Sequence, residues 1–138
     1  MPTEEAGMDF WGAIKSGFTN YVAFSGRATR SEFWYWILFA ILGAWLMNSI
    51  DGAVLPQMVW PSPALPFISP LSVFNLLTFL PTVAVGVRRL HDIDRSGWWM
   101  LIALTIIGVF VLIYWFCKPG IPAGGRFGPD PLEEIRPV

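Results

Sequence analysis

The chain of 138 residues has room for one domain and carries a net charge of −1. Hydrophobic residues make up 54% of it and charged residues 14%, where soluble domains carry about 25% charged residues, and the mean hydropathy is +0.54. These figures exclude an ordinary soluble domain, and nine scattered Lys and Arg exclude a basic face able to neutralise the phosphates of a nucleic acid.

In residues 9–24 the apolar side chains Phe10, Ile14, Phe18, Tyr21 and Val22 recur every three or four positions, which predicts an amphipathic helix with Asp9 as its cap. It is too polar to span a bilayer and is expected to lie in the interface, with packing on a protein surface as the alternative. Ser25-Gly26 then breaks the chain, and Thr29 or Ser31 caps the next helix with Glu32 in its first turn. Residues 33–50 hold no charge and make roughly 27 Å of helix, enough for a first span, with Trp34 and Trp36 near the boundary. Asp51-Gly52 is expected to end it. Residues 51–70 include Pro56, Pro61, Pro63, Pro66 and Pro70 and predict an extended outer loop, unless part of it enters the bilayer as a fourth segment.

Residues 71–87 are the second predicted span. Pro81 within it leaves the carbonyl of Leu77 without its usual donor, and Asn75 and Thr78, three apart, are expected to bond a neighbouring helix. RRLHDIDRSGWW, beginning at Arg88, reads as a short membrane-surface turn. The uncharged stretch 98–117 follows as a third span with Trp98, Trp99 and Trp115 at its ends, and residues 118–138, rich in Pro and Gly, are expected to be irregular. The acidic start MPTEEAGMDF is not that of a secretory signal. Lys15, Arg27 and Arg30 precede the first span, no Lys or Arg lies in the loop after it, and Arg88, Arg89 and Arg95 lie between the second and third. That alternation puts the N-terminus and the Arg88 turn in the cytoplasm, the proline-rich loop outside and, with three spans, the tail outside as well.

Two polar segments thereby become neighbours: Arg27, Arg30 and Glu32 on one, and Arg88, Arg89, His91, Asp92, Asp94 and Arg95 on the other. One reading is a structural clamp in which Arg27 or Arg30 pairs with Asp92 or Asp94, spare arginines holding lipid. The other is a binding site for an anion or a lipid headgroup, since the guanidinium fork suits phosphate as well as carboxylate. Arg88 with Asp92 and His91 with Arg95 stand four apart and can meet on one helix face. One His and two Asp amid arginines make a hostile site for a cation, and His91 with Ser96 lacks the rest of a triad. No catalytic residue, metal ligand or cofactor is therefore assigned. Cys117 stands alone, so no internal disulfide can form.

FSGRATRSEFW, LPTVAVGVRRLHDIDRSGWW and the tail FGPDPL together resemble the DUF805 family of small bacterial inner-membrane proteins, over roughly residues 20–132. The family's signature falls here on Gly26, Arg27, Arg30, Phe33, Trp34, Pro81, Arg88, Arg89, Leu90, His91, Asp92, Ser96, Gly97 and Trp98. The tail departs from it, with Gly125-Arg126 ahead of Phe127-Gly128 where the family usually has an Asn. The resemblance implies a multi-pass membrane protein of unassigned activity. The expectation is an all-α membrane protein, an interfacial helix followed by a bundle of three transmembrane helices. It is expected to be non-enzymatic, to form a homo-oligomer or join a larger membrane complex, and to contact anionic lipid through its cytoplasmic arginines. A small transporter lined by the Pro81 helix, with Asn75 and Thr78 facing the path, and a lipid-headgroup enzyme are the alternatives.

Overall fold

The computed structural model describes residues 8–58, 69–121 and 125–132. Among these the fold is helical, with one isolated bridge between Gly125 and Gly128 as the only extended pairing. Helix α1 (Phe10–Thr19) starts on the expected cap, the carboxylate of Asp9 accepting from the Gly12 N–H at 2.9 Å. It stops earlier than the apolar periodicity suggests. The Asn20 N–H closes it on the Ser16 carbonyl, and Tyr21 and Val22 lie beyond. Its buried face is the small-residue face, Ala13 and Gly17, because the ring of Trp36 lies so close over Gly17 that a Cβ there would clash.

Helix α2 (Arg30–Met58) is capped by Thr29, whose hydroxyl accepts from the Glu32 N–H at 3.2 Å, so Ser31 falls inside the helix. At 29 residues it measures about 43 Å. Asp51-Gly52 does not end it. A helical Gly costs about 1 kcal/mol, less than releasing a whole turn of backbone hydrogen bonds in an apolar setting. The rest of the predicted proline-rich loop, and with it the possible fourth segment, lies outside the described residues.

Helix α3 (Pro70–Asp92) begins with Ser69 as cap and Pro70 in its first turn, and runs antiparallel to α2. The pairing is fixed at three levels. The Ala28 N–H donates to the Arg88 carbonyl at 3.1 Å, Trp36 Nε1 donates to the Thr82 hydroxyl at 3.0 Å, and Phe39 meets Phe74 at 6.0 Å between ring centres. The carbonyl of Leu77, orphaned by Pro81, accepts from the hydroxyl of Tyr21 at 2.8 Å. The expected interhelical role of Thr78 is not found. Its hydroxyl donates to its own helix, to the Phe74 carbonyl at 2.8 Å, while Asn75 faces outward, and Thr82 makes the cross-helix bond instead. Helix α3 also takes in Arg88, Arg89, His91 and Asp92, so the predicted twelve-residue turn shrinks to the four residues 93–96.

The largest departure is in the predicted third span. Residues 98–117 are not one helix but a 3-10 helix (Gly97–Leu104) and a 12-residue helix α4 (Ile106–Cys117), separated by the extended Thr105. Trp99 and Trp115 touch at 5.4 Å between ring centres, although sixteen residues of continuous helix would hold their backbones about 24 Å apart. The two pieces therefore fold back on each other as a hairpin. Thr105 makes the turn: its hydroxyl accepts from the Gly108 N–H at 3.0 Å and donates to the Ile102 carbonyl at 2.9 Å. Gly108 sits hard against that carbonyl, where no side chain fits. At about 18 Å, α4 reaches a little over half the depth of a bilayer core.

Among the described residues two helices, α2 and α3, are thus long and apolar enough to cross a membrane. Only 11% of the most apolar stretch of α2 is buried, which is not how a core helix of a soluble protein behaves. The buried core is instead gathered at one end, where Ala28, Phe33, Trp36, Val85, Leu90, Leu112 and Phe116 pack together beneath the arginines.

Candidate functional site

The core carries a buried ionic network, and its centre is Asp92, the last residue of α3. Arg27 reaches it from the loop before α2, Nε donating to Oδ1 at 2.9 Å, while Arg27 Nη2 also donates to the Ile121 carbonyl at 2.7 Å. Arg89, three residues back on α3, donates to the other carboxylate oxygen. Its remaining N–H groups go to the carbonyls of Phe116 and Lys118 at the end of α4, which they cap. The Asp92 backbone carbonyl accepts from the Ile121 N–H at 3.0 Å, and Gly120 lies so close to the carboxylate that any side chain would displace it. One carboxylate thus ties together four parts of the chain: the loop before α2, α3, the end of α4 and the segment after it.

A second buried pair stands beside it. Arg88 Nη1 donates to Glu32 Oε1 at 2.8 Å, and the same oxygen accepts from the Ser16 hydroxyl at 2.7 Å, bringing α1 into the network. The expected Arg88–Asp92 contact is therefore replaced by a contact between helices. His91 does not meet Arg95 either. His91 Nδ1 lies 3.1 Å from the Gly26 carbonyl, which makes it the protonated nitrogen, and its ring stacks on Phe127 at 4.0 Å and 5°. Gly26 has φ +86, a conformation that suits glycine and that aims its carbonyl at the histidine. The guanidinium of Arg95 lies 5.0 Å over the ring of Trp115. Asp94, at φ +57, receives the exposed Arg126 at 3.2 Å.

Arg30 opens α2 beside a void of about 30 Å³ that it shares with Thr29, Asp92, Gly120 and Asp130. That space suits one water molecule and not a phosphate. Arg27 Nη1 and Arg88 Nε and Nη2 are buried without a hydrogen-bond partner. Among the described residues no group of three His, Cys, Asp or Glu could hold a metal ion. Chemically, then, the arginines are mostly consumed by the chain itself. Of the pairings the sequence leaves open, Arg27 or Arg30 with Asp92 or Asp94, the one between Arg27 and Asp92 is present.

The tail is where the sequence reading fails. Three spans would put residues beyond 117 on the face opposite Arg88, yet Ile121, Arg126 and Phe127 all bind residues of the Arg88–Asp94 segment. The hairpin explains why, since it returns the chain to the end from which it left.

The sequence matches the family described as "Protein of unknown function (DUF805)" over residues 21–129. The chain belongs to the DUF805 family. It is 41% identical over 116 residues to "Inner membrane protein YhaH" of Escherichia coli K12, covering 83% of this chain and 92% of that protein. It is 43% identical over 115 residues to "Inner membrane protein YhaI" of the same strain, covering 81% and 88%. "Uncharacterized protein YiiR", also of that strain, is 35% identical over 112 residues, 78% of this chain and 67% of the relative. No solved structure matches. The DUF805 match contains every charged member of the network around Asp92 and Glu32, and also the tail residues Arg126 and Phe127. Ser16 and Asp130 lie just outside it. Sequence reasoning missed Tyr21, Gly26, Ile121 and Phe127. Tyr21 had a signal in a hydroxyl on an apolar stripe with an orphaned carbonyl elsewhere to meet, and Gly26 and Phe127 stood in the family motifs without a contact assigned to them.

Proposed function

We propose that this protein is a non-enzymatic inner-membrane protein that acts as a homo-oligomer or as a subunit of a larger membrane complex. In this reading α2 and α3 span the bilayer, α1 lies at its surface and the Thr105 hairpin re-enters it from the arginine end. That end is cytoplasmic. The observation that carries the reading is the burial of Arg27 and Arg89 on the shared carboxylate of Asp92, a staple that fixes the end of the bundle. Relatives named as inner membrane proteins support the location. The gathering of Lys15, Arg27, Arg30, Arg88, Arg89, Arg95, Lys118 and Arg126 at one end supports the orientation. Uncovered apolar side chains such as Ile41 and Trp45, 61% and 71% exposed, leave α2 open to lipid or to another subunit. The outlying basic side chains contact anionic lipid headgroups. Transport has less support, because Thr78 is turned to its own backbone. A headgroup enzyme has less as well, because His91 is held by Gly26 and Phe127.

Native mass spectrometry of the protein released gently from its own membranes tests this. A defined oligomer or a complex with a second protein is expected. A bare monomer that carries no partner overturns it.

A further inference from the structure

We infer that the cleft between α3 and the Thr105 hairpin is a binding site for one acyl chain of an anionic phospholipid, with the phosphate held at Arg95 and Ser96. The inference rests on the bilayer reading above and adds a specific site to it. The cleft has a volume of about 490 Å³, within the range of small-molecule pockets. One wall is a single face of α3: Val83, Val87 and His91 stand four apart and rise about 12 Å along the helix. The other wall is Trp98, Met100 and Leu101 of the 3-10 helix. The lining is therefore apolar in its depth, and its polar groups, His91, Ser96 and the backbone of Gly97, lie together at the arginine end, with Phe24 of the loop before α2 completing the lining.

That gradient runs along the direction in which a phospholipid lies, chain inward and headgroup at the boundary. Trp98, 78% exposed on the cleft wall, is the residue type expected at that boundary. Leu101, 59% exposed, leaves the cleft open sideways to the bilayer. The basic residue next to this polar end in the chain fits an anion. Arg95 adjoins Ser96, is held only against the face of Trp115, and has no carboxylate partner among the described residues. Every other arginine of the segment is tied to a carboxylate of the chain: Arg88 to Glu32, Arg89 to Asp92 and, across from them, Arg27 to Asp92. The Ser96 hydroxyl accepts weakly from the Trp98 N–H at 3.5 Å and retains its own proton for a phosphate oxygen. Arg95 is thus a cation that internal pairing leaves over among the described residues, and it adjoins in the chain Ser96, which lines the polar end of the apolar slot.

The test uses the full chain in phosphatidylcholine vesicles containing a trace of phosphatidylglycerol with a photoreactive group in its acyl chain. Adducts at Met100 and Leu101 should fall about fivefold or more when excess unlabelled phosphatidylglycerol is added, by mass action, and hardly at all with the same excess of phosphatidylcholine. In Leu101→Trp, which fills the cleft, the competed adducts should disappear. In Arg95→Gln, a surface change that leaves the core intact, labelling should persist but lose its preference for the anionic competitor. Uncompeted adducts at Ile41 and Leu42 on the outer face of α2 report whether the protein is in the bilayer at all, so failure of that reading is distinguishable from failure of the site. With those adducts present, equal competition by phosphatidylcholine overturns the inference. So does cleft labelling no stronger than that at Ile41, or an Arg95→Gln protein that still prefers phosphatidylglycerol.

Discussion

The two arginines that adjoin in sequence do different work. Arg89 spends its donors on Asp92 and on the carbonyls that end α4, while Arg88 spends one nitrogen on Glu32 and keeps Nε and Nη2 buried without a partner. Lysine preserves a single charged contact but not a fork. Arg89→Lys should therefore cost about 2–3 kcal/mol, since several buried acceptors are left behind, and Arg88→Lys about 1 kcal/mol or less. Unfolding in a denaturing detergent series checks the order, and equal losses would refute the division of labour. Asp92 is the shared counter-ion, so Asp92→Asn should cost about 3–5 kcal/mol, and Arg27→Gln should add little once it is made. A double-mutant cycle that came out additive would mean the two residues act apart. The RRLHD block showed in the sequence that charge collects here, and Arg27 with Asp92 was one of four pairings it left open, with Arg30 and Asp94 as the other candidates. The partner of Arg88 could not be named, because a spacing of four along one helix points to Asp92 while the packing of α2 on α3 brings Glu32 closer.

At the scale of elements, α1 to α3 were legible and the hairpin was not. The Asp9 cap showed where α1 begins and the apolar run where α3 begins, and Pro81 announced its own consequence, which Tyr21 answers from outside the helix. Tyr21→Phe should cost about 1–2 kcal/mol by stranding the Leu77 carbonyl, and almost nothing in a Pro81→Ala background, where a helical N–H takes its place. A loss of the same size in both backgrounds would show that the hydroxyl serves another purpose. The stretch 98–117 misled because an uninterrupted apolar run reports what solvent a segment prefers and not whether it turns within that solvent. The clue was Thr105 followed by Gly108, a cap and a place for close approach in the middle of an apparent span. Spin labels on Ser96→Cys and the native Cys117 separate the two possibilities. A continuous helix would hold those positions about 30 Å apart. The hairpin should bring them to well under that, since Trp99 and Trp115 already touch.

For the whole molecule, the hairpin brings the described tail back to the arginine end. Counting Lys and Arg around three spans sent Lys118 and Arg126 to the outer face against the usual bias, a conflict that arose only because the hairpin was counted as a crossing. In the proposed two-crossing topology the conflict disappears, and Ser16, Ile121 and Phe127 each bind a residue at the arginine end. The length of α3 agrees with this. From Arg88 back to Ser69 it covers about 28 Å, close to the thickness of a bilayer core, so Ser69 should stand at the opposite surface. In a Cys117→Ser background, a cysteine placed at Ser69 should react in intact cells with a maleimide that cannot cross the inner membrane. One placed at Arg126 should react only after the membrane is permeabilised. Reaction of both in intact cells would return 98–117 to a full crossing. Protection of both would mean that α2 and α3 do not emerge on the far side, and the apolar faces of the two helices would then have to be covered by a protein partner instead of lipid.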